Sequence, residues 1–303
     1  MTVLRVTQTL MVTRALSNLN YQTRQLLQLQ EELATGLRVN SPSDDPLAAR
    51  IAINLRQTMS REDQYLTNIS GANMQLLETV TAIQSVVDTL QRANEITLQG
   101  SNGTMAQAQR DQLAVEANQL IESVLMEANH QTNGKYIFGG TRTLNAPYVP
   151  TRNAQGEITS VAYAGNIEKI SVAVADGVSV VVNEPGRNAF QSTQDVLQLL
   201  INIRDNLRTS DLPALQQRLA ELKRGQDQAL ASVARIGATQ NRLERLTANT
   251  EDHIQQLKVA LSDAIEADYA ETIMNLNAQT NAFQAALSAS ARVIQQSLLD
   301  YIG

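Results

Sequence analysis

An apolar repeat in the C-terminal half constrains the fold of this chain more than any other feature. From Leu215 to Leu261, apolar residues recur at spacings of three, four or seven, which places them on one side of a helix. Unbroken, that helix would hold roughly 47 residues and measure about 70 Å. Polar residues also occupy the register, at Gln226, Gln240, Thr247 and Thr250. A compact globule has no need of such a rod, so the predicted fold is mainly α and elongated.

Both ends of the chain carry similar stripes. In the N-terminal segment, which predicts a helix over about residues 7–35, the stripe contains Val12, Leu16, Leu19, Leu26 and Leu33. In the C-terminal segment it contains Ile273, Leu276, Phe283, Leu287, Ile294 and Leu298. Apolar stripes at both ends suggest surfaces that bind other subunits. An intramolecular core remains the alternative.

The stretch "ATGLRVNSPSDDPLAARIA" (34–52) interrupts the helical pattern. Gly36 tolerates the left-handed backbone that follows a helix end, and Pro42 forces an extended conformation on the residue before it. Asp45 suits an N-cap, with Pro46 as first helical residue and Asp44 also near the positive end of the helix dipole. The sequence therefore predicts an interdomain joint formed by Gly36, Asn40, Ser41, Pro42, Ser43, Asp44, Asp45 and Pro46.

The residue pattern changes from helical to β-like between residues 133 and 192. Short β-branched runs alternate with polar residues, and Asp176–Gly177 between two Val-rich arms predicts a hairpin turn. Helical patterns return near Thr193 and again at Pro213. A small β-rich region is therefore predicted between helical segments.

Composition narrows the functional classes. The chain has no Cys, which removes thiol catalysis, disulfides and Cys-based zinc sites. A net charge of −6 offers no basic face for nucleic acid, and no apolar run is long enough for membrane insertion. His130 and His253 lie far apart in the sequence, so we expect each to be an exposed helix residue and neither to bind a metal. Because the sequence offers no nucleophile–base pair and no cofactor loop, we expect no cofactor and no enzyme activity. The N-terminus is unlike a signal peptide, and we expect no export by that route.

Three stretches resemble flagellin-like proteins, in particular the hook-associated members of that family. "LQEELATGLRVNSPSDDPLAARIA" is similar to the family's N-terminal signature, with "NSPSDDP" in the form of the members that join hook to filament. "NGKYIFGGTRTLNAPY" (133–148) is the second match. The third is "AIEADYAETIMNLNAQTNAFQAALSASARVIQQSLLDYI", which resembles the family's terminal helix.

The resemblance implies a structural subunit that joins hook to filament. It implies export in an unfolded state by the flagellar type III apparatus, to an extracellular place in the flagellum, and folding of the terminal helices on assembly. It also implies three domains: an inner coiled coil (1–42 with 264–303), a helical rod (43–132 with 193–263) and a β-rich outer domain (133–192).

The partners implied are other junction or hook-associated proteins on the hook side, flagellin or the filament cap on the distal side, further copies in a helical array, and a cytoplasmic export chaperone. A short flagellin is the nearest alternative. Another secreted coiled-coil protein, such as a membrane-active translocator, and an enzyme are more distant alternatives. The translocator would need a strongly apolar insertion segment, and the enzyme a nucleophile–base pair or a cofactor loop.

Overall fold

A computed structural model describes the backbone of residues 2–302 and the side chains of residues 10–291. The helices are α1 (Thr2–Thr35), α2 (Pro46–Gly100), α3 (Gln107–Ala128), α4 (Gly186–Phe190), α5 (Val196–Thr209), α6 (Leu212–Ile265) and α7 (Tyr269–Ile302). The strands are β1 (Gln131–Thr132), β2 (Lys135–Tyr136), β3 (Tyr148–Arg152), β4 (Ile158–Tyr163), β5 (Ser171–Ala175) and β6 (Val178–Val181). The predicted fold class, mainly α with paired terminal helices and a small β-rich part, is confirmed.

The chain folds as two compact units. The first unit takes the chain up to Arg61 and again from His253 onward, and the second unit is Glu62–Asp252. The long helices α2 and α6 contribute residues to both. The division into three domains stays a prediction.

Buried apolar side chains of the second unit recur at helical spacing on α2 and on α6, the helix that contains the apolar repeat of residues 215–261. On α2 the buried residues are Ile69, Ala72, Leu76, Ile83, Val86, Leu90 and Ala93. On α6 they include Leu215, Leu222, Ala229, Ile236 and Leu243. Together with α3 and α5 these helices enclose one hydrophobic core. The period of the stripes predicts this burial because residues three or four apart share one side of a helix.

A short turn separates α2 from α3. A Cβ at Gly100 would lie 2.3 Å from Cδ2 of Leu207, so the close approach of α5 favours glycine there. Arg110 is buried, and its guanidinium donates to the carbonyl oxygens of Gly100 (2.9 Å) and Asn102 (2.7 Å). The buried arginine is satisfied here by two carbonyl groups of the turn.

The β-rich part consists of three two-stranded antiparallel hairpins, β1–β2, β3–β4 and β5–β6. The predicted turn at Asp176–Gly177 joins β5 to β6, and Gly177 has a φ of +66°. That left-handed conformation is the one that tight hairpin turns need. The predicted hairpin is therefore confirmed.

Residues of the hairpins bury their side chains in the same core as the helices of the second unit. Phe138 and Tyr148 are fully buried beside Phe190 of α4, with the two phenylalanine rings 4.9 Å apart. On α5, the buried guanidinium of Arg204 donates to the Ile158 carbonyl oxygen at 2.8 Å. Aromatic packing and this hydrogen bond fix β3–β4 to the helices.

Candidate assembly site: two joints and the terminal helix pair

Gly36 ends α1 in the conformation predicted for it. Its φ is +72°, and its N–H donates to the Glu32 carbonyl oxygen at 2.8 Å. A Cβ at this position would lie 2.7 Å from the Tyr269 hydroxyl oxygen. The left-handed φ selects glycine here, and the nearby Tyr269 side chain adds to the preference.

The two adjacent aspartates of the first joint (residues 36–45) cap backbone groups. Asp44 Oδ2 accepts from the N–H groups of Asn40 (3.1 Å) and Ser41 (2.7 Å). Asp45 Oδ1 accepts from the N–H groups of Leu47 (3.1 Å) and Ala48 (3.0 Å), which are free donors of the first turn of α2. The predicted N-cap is confirmed, and the two carboxylates have a structural reason to be there.

The pKa of the Asp45 carboxyl lies below its ordinary value. The main cause is the hydrogen bond from the Ala48 N–H, to which the Leu47 N–H and the Arg38 guanidinium, 3.5 Å away, add. Each of these donors stabilises the ionised carboxylate.

A second joint (residues 266–268) separates α6 from α7 and pairs with the first. The N–H of Arg38 donates to the Ile265 carbonyl oxygen at 2.7 Å, and the N–H of Ala267 donates to the Gly36 carbonyl oxygen at 2.9 Å. Asp268 then caps α7, accepting from the Ala270 N–H at 2.8 Å. One short antiparallel bridge therefore links the two joints.

A small hydrophobic cluster lies where the joints meet α2 and α6. Its buried members are Val39, Ala48, Ala52 and Ile265, and Leu37, Ala49, Leu261 and Ala264 pack against them. This cluster is separate from the core of the second unit. It fixes the start of α2 against the end of α6.

The other predicted joint residues lie in the outer part of the first joint and, for Pro46, at the start of α2. Asn40, Pro42, Ser43 and Pro46 are exposed, and Ser41 is half-buried with its hydroxyl hydrogen-bonded to that of Ser43. Pro46 is the first residue of α2, as expected. A role of these residues in contacts between subunits stays a prediction.

The predicted stripe of α1 lies only partly at a helix contact. Val12, Leu19, Leu26 and Leu33 are half-buried, and Leu16 is exposed. The helix packs against α7, and we call the two the terminal pair. No apolar side chain of residues 10–35 is fully buried.

The predicted stripe of α7 behaves in the same way. Leu276 and Phe283 are half-buried, whereas Ile273 and Leu287 are exposed. Ile294 and Leu298 lie outside the residues whose side chains the structure describes. The use of these stripes in assembly stays a prediction.

Two features, the second joint and a contact within the terminal pair, are not predicted from the sequence. The second joint contains neither Pro nor Gly, and its signal is Asp268 followed by a helical run. The other is a polar contact in which the Gln279 side-chain amide donates to the Gln22 side chain, between apolar positions of α7 and α1. With Gly36 beside Tyr269, this contact shows that the two helices run antiparallel.

The two histidines lie on different parts of the chain. His130 follows α3, rather than lying in a helix as expected, with Nε2 3.5 Å from Glu78 and Nδ1 3.8 Å from Glu127. His253 is exposed on α6. Among the described residues, no cluster of three or more His, Asp or Glu could hold a metal ion. In that same part of the chain, every helix is too short or too polar to cross a membrane.

Comparison with known proteins identifies the class that this fold and these joints define. Residues 6–143 match the bacterial flagellin N-terminal helical region, and residues 225–302 match the bacterial flagellin C-terminal helical region. The two matches cover both joints and the terminal pair. The chain belongs to the flagellin family.

Within that family, the extent of the matches points to hook-associated members. Flagellar hook-associated protein 3 of Escherichia coli is 28% identical over 284 residues, which are 86% of this chain and 87% of the relative. The flagellin FlaB2 of Treponema pallidum is 27% identical over 198 residues, 62% of this chain and 69% of the relative. The resemblance to hook-associated proteins that the sequence motifs indicate is confirmed.

A solved structure agrees on the fold. The flagellar junction protein FlgL from Legionella pneumophila superposes with a TM-score of 0.59 at 17% identity, covering 71% of this chain and 99% of that one. At this identity the likeness concerns the fold alone.

Proposed function

We propose that this chain is a structural subunit of the bacterial flagellum that joins hook to filament. The terminal pair carries the proposal, because it presents apolar stripes from both chain ends and leaves every described apolar side chain of those helices at least partly exposed. An extensive match to a hook-associated relative supports the same role. The role is structural and involves no catalysis.

The proposed mechanism is folding on assembly. Two helices that bury so little apolar surface gain little free energy to offset the conformational entropy of ordering about 30 residues each. Neighbouring subunits would cover the exposed stripe residues and supply the missing burial. Subunits would therefore leave the flagellar type III apparatus unfolded at their ends and order those ends on docking.

The proposed partners follow from that place in the flagellum. On the hook side the chain would contact other junction or hook-associated proteins, and on the distal side flagellin or the filament cap. Copies of the chain would also contact one another in a helical array outside the cell. Before export, a cytoplasmic chaperone would cover the exposed stripe of α7.

A short flagellin is the second candidate, favoured by the match to a Treponema flagellin. The two candidates differ in what the pure protein does. A flagellin would form long filaments by itself, whereas a junction subunit would add only to a hook that already carries its preceding hook-associated protein. Long filaments of the purified chain would favour flagellin.

Hydrogen exchange tests the mechanism directly. Exchange of the purified chain would be compared with exchange of the same chain in isolated hook–filament structures. We expect amides of α1 and α7 to exchange freely in the monomer and to become protected on assembly. Amides of α2 and α3 near Leu90 and Ile121, in the buried core, should be protected in both states.

Two results would count against the proposal. If α1 and α7 are already protected in a monodisperse monomer, the terminal pair is an intramolecular core and folding on assembly is wrong. If the chain is absent from the region between hook and filament in isolated flagella, the junction role is wrong.

A further inference from the structure

The first part of α2 has basic and apolar residues on its exposed side, opposite the side that packs against α6. Ala48 and Ala52 face inward, toward Ile265 of α6. Four exposed residues recur on the outer side at spacings of three, four and seven, and we call them the basic stripe: Leu47, Arg50, Asn54 and Arg61. Leu47 is 60% exposed. Residues 46–61 include no Asp or Glu.

The last part of α6 and the residue after it carry an acidic counterpart. Four exposed residues recur at spacings of three and four, and we call them the acidic stripe: Gln256, Val259, Asp263 and Glu266. Val259 is 61% exposed. Lys258 lies about 100° round the helix from Val259 and so outside the stripe. Each stripe thus combines two like charges with one large exposed apolar side chain.

The charges of both stripes are available for a partner. Among the described residues, Arg50, Arg61, Asp263 and Glu266 make no ion pair. Arg61 donates to the Thr58 hydroxyl, and Glu266 accepts from the Ser262 hydroxyl. Both of these contacts lie within one helix turn and leave the ionic charge uncompensated.

One copy of the chain cannot bring its own two stripes together. The seam of Ala48, Ala52, Leu261 and Ile265 lies between α2 and α6, and both stripes face away from it. A second copy can present its acidic stripe to the basic stripe of the first. Each such contact leaves one unused stripe on each copy, so the contact is heterologous and continues into an array.

We propose that the basic stripe of each copy docks on the acidic stripe of the next copy. The occupant is a second copy of this chain, because charge and apolar content are complementary on two separate surfaces of the same unit. This inference rests on the proposed function and names the surfaces through which the array forms. Opposite charges would set orientation and rate of docking, and Leu47 and Val259 would supply apolar burial.

Cysteine cross-linking tests the contact, since the natural chain has no Cys. A chain with both Asn54→Cys and Val259→Cys, one in each stripe, would be oxidised in flagella isolated from cells that make only this variant. We expect a ladder of dimers, trimers and larger products under non-reducing conditions. Each single variant should give less than about a tenth of that cross-linked fraction, because only unlike stripes meet.

Other cross-linking outcomes would overturn the inference. Dimers formed equally by a single variant would indicate a symmetric contact. An internal cross-link at monomer mass would show that the stripes meet within one chain, and a product of another mass would identify a different occupant.

Charge reversal gives a second test with an internal rescue. Arg50→Glu with Arg61→Glu, or Asp263→Lys with Glu266→Lys, should lower the cross-linked fraction of the double-cysteine chain by about tenfold or more, because like charges then face each other. Combining all four reversals restores complementarity and should restore the ladder. Arg56→Glu with Lys258→Glu, on the same helices outside the stripes, is the matched control and should leave the ladder unchanged.

Failure of this inference can be told apart from failure of the proposed function. If the double-cysteine chain is found between hook and filament but gives no ladder, the docking surfaces are wrong and the junction role stands. If the unmodified chain is absent from that place, the junction role fails first. Lack of rescue by the fourfold reversal, with circular dichroism showing normal folding, would also overturn the proposed contact.

Discussion

The second unit buries large apolar side chains completely, whereas the terminal pair buries none among the residues described. Leu90, Ile121 and Phe138 are shielded from solvent, but Leu16, Leu27 and Ile273 remain about half exposed or more. Hydrophobic stabilisation scales with the apolar area removed from water. The second unit therefore has the means to hold its fold alone, and the terminal pair depends on what covers it.

The two regions also differ in the polar contacts that join their elements, which include charged contacts in the second unit and a neutral contact in the terminal pair. In the second unit, Arg92–Glu116, Arg152–Glu122 and Arg208–Glu157 join different elements through charged hydrogen bonds. Across the terminal pair, the described side chains include the neutral Gln22–Gln279 contact. A polar pair at a helix contact defines register rather than adding much stability.

The largest expected effect comes from a cavity in the core of the second unit. Leu90→Ala should lower the free energy of unfolding by about 2–5 kcal/mol, because a fully buried side chain leaves a cavity behind. Leu27→Ala removes the same atoms from a 57% exposed site of α1. This variant should change the free energy of unfolding by less than about 0.5 kcal/mol. Urea unfolding followed by circular dichroism measures both. Equal losses would break the comparison between the two regions.

The next largest effect on stability should come from replacing Gly36, whose backbone conformation at the first joint favours glycine. Gly36→Ala places a Cβ at positive φ and against Tyr269, and should destabilise the first unit by about 1–2 kcal/mol. Gly71→Ala is the matched control inside α2, where a Cβ meets nothing within 4 Å, and should stabilise by about 0.5–1 kcal/mol. Thermal unfolding of the assembled structure, in which α1 and α7 are ordered, should shift in opposite directions for the two variants. A neutral Gly36→Ala would mean that the joint relaxes without loss.

Capping of α2 should have a smaller, local effect. Asp45→Ala removes the acceptor of two backbone N–H groups, so the amides of Leu47 and Ala48 should exchange several-fold faster. Asp45→Asn keeps a capping oxygen and should restore most of the protection. Amides near Leu90 should be unaffected by either variant. If Asn fails to restore protection, the negative charge rather than the cap is what matters.

The smallest expected effect is on the stability of the second unit at acid pH. The hydrogen bond from the Arg208 side chain, with a smaller contribution from that of Asn153, lowers the pKa of Glu157 from 4.5 to about 2. Because the folded pKa lies below the unfolded one, this pair stabilises the second unit above pH 4.5, and the contribution is lost as pH falls from there to about 2. Glu157→Gln should remove at most about 1 kcal/mol at pH 7 and flatten that part of the stability curve. Arg208→Gln should remove the larger part of the same slope, because Arg208 is the main cause of the shift, and an unchanged slope would contradict the pairing.

The sequence alone was sufficient to predict helix ends, a helix cap and a hairpin turn of this protein. Gly36, Asp45 and the Asp176–Gly177 turn act on neighbours within about four residues, so their identity predicts helix ends, caps and a hairpin. Apolar periodicity predicts which side of α2 or α6 is buried for the same reason. These local signals also carry the resemblance to the flagellin family.

Only the tertiary structure decided which segments meet. The bridge between the two joints links Arg38 to Ile265, positions far apart in the chain, and no local pattern encodes that pairing. Arg110 and Arg204 are buried because carbonyl groups of distant or irregular segments happen to lie within reach of their guanidinium groups. Stripe residues of α1 divide into half-buried and exposed according to where α7 lies. Each of these outcomes depends on non-local contacts, whereas propensity and periodicity describe a single segment.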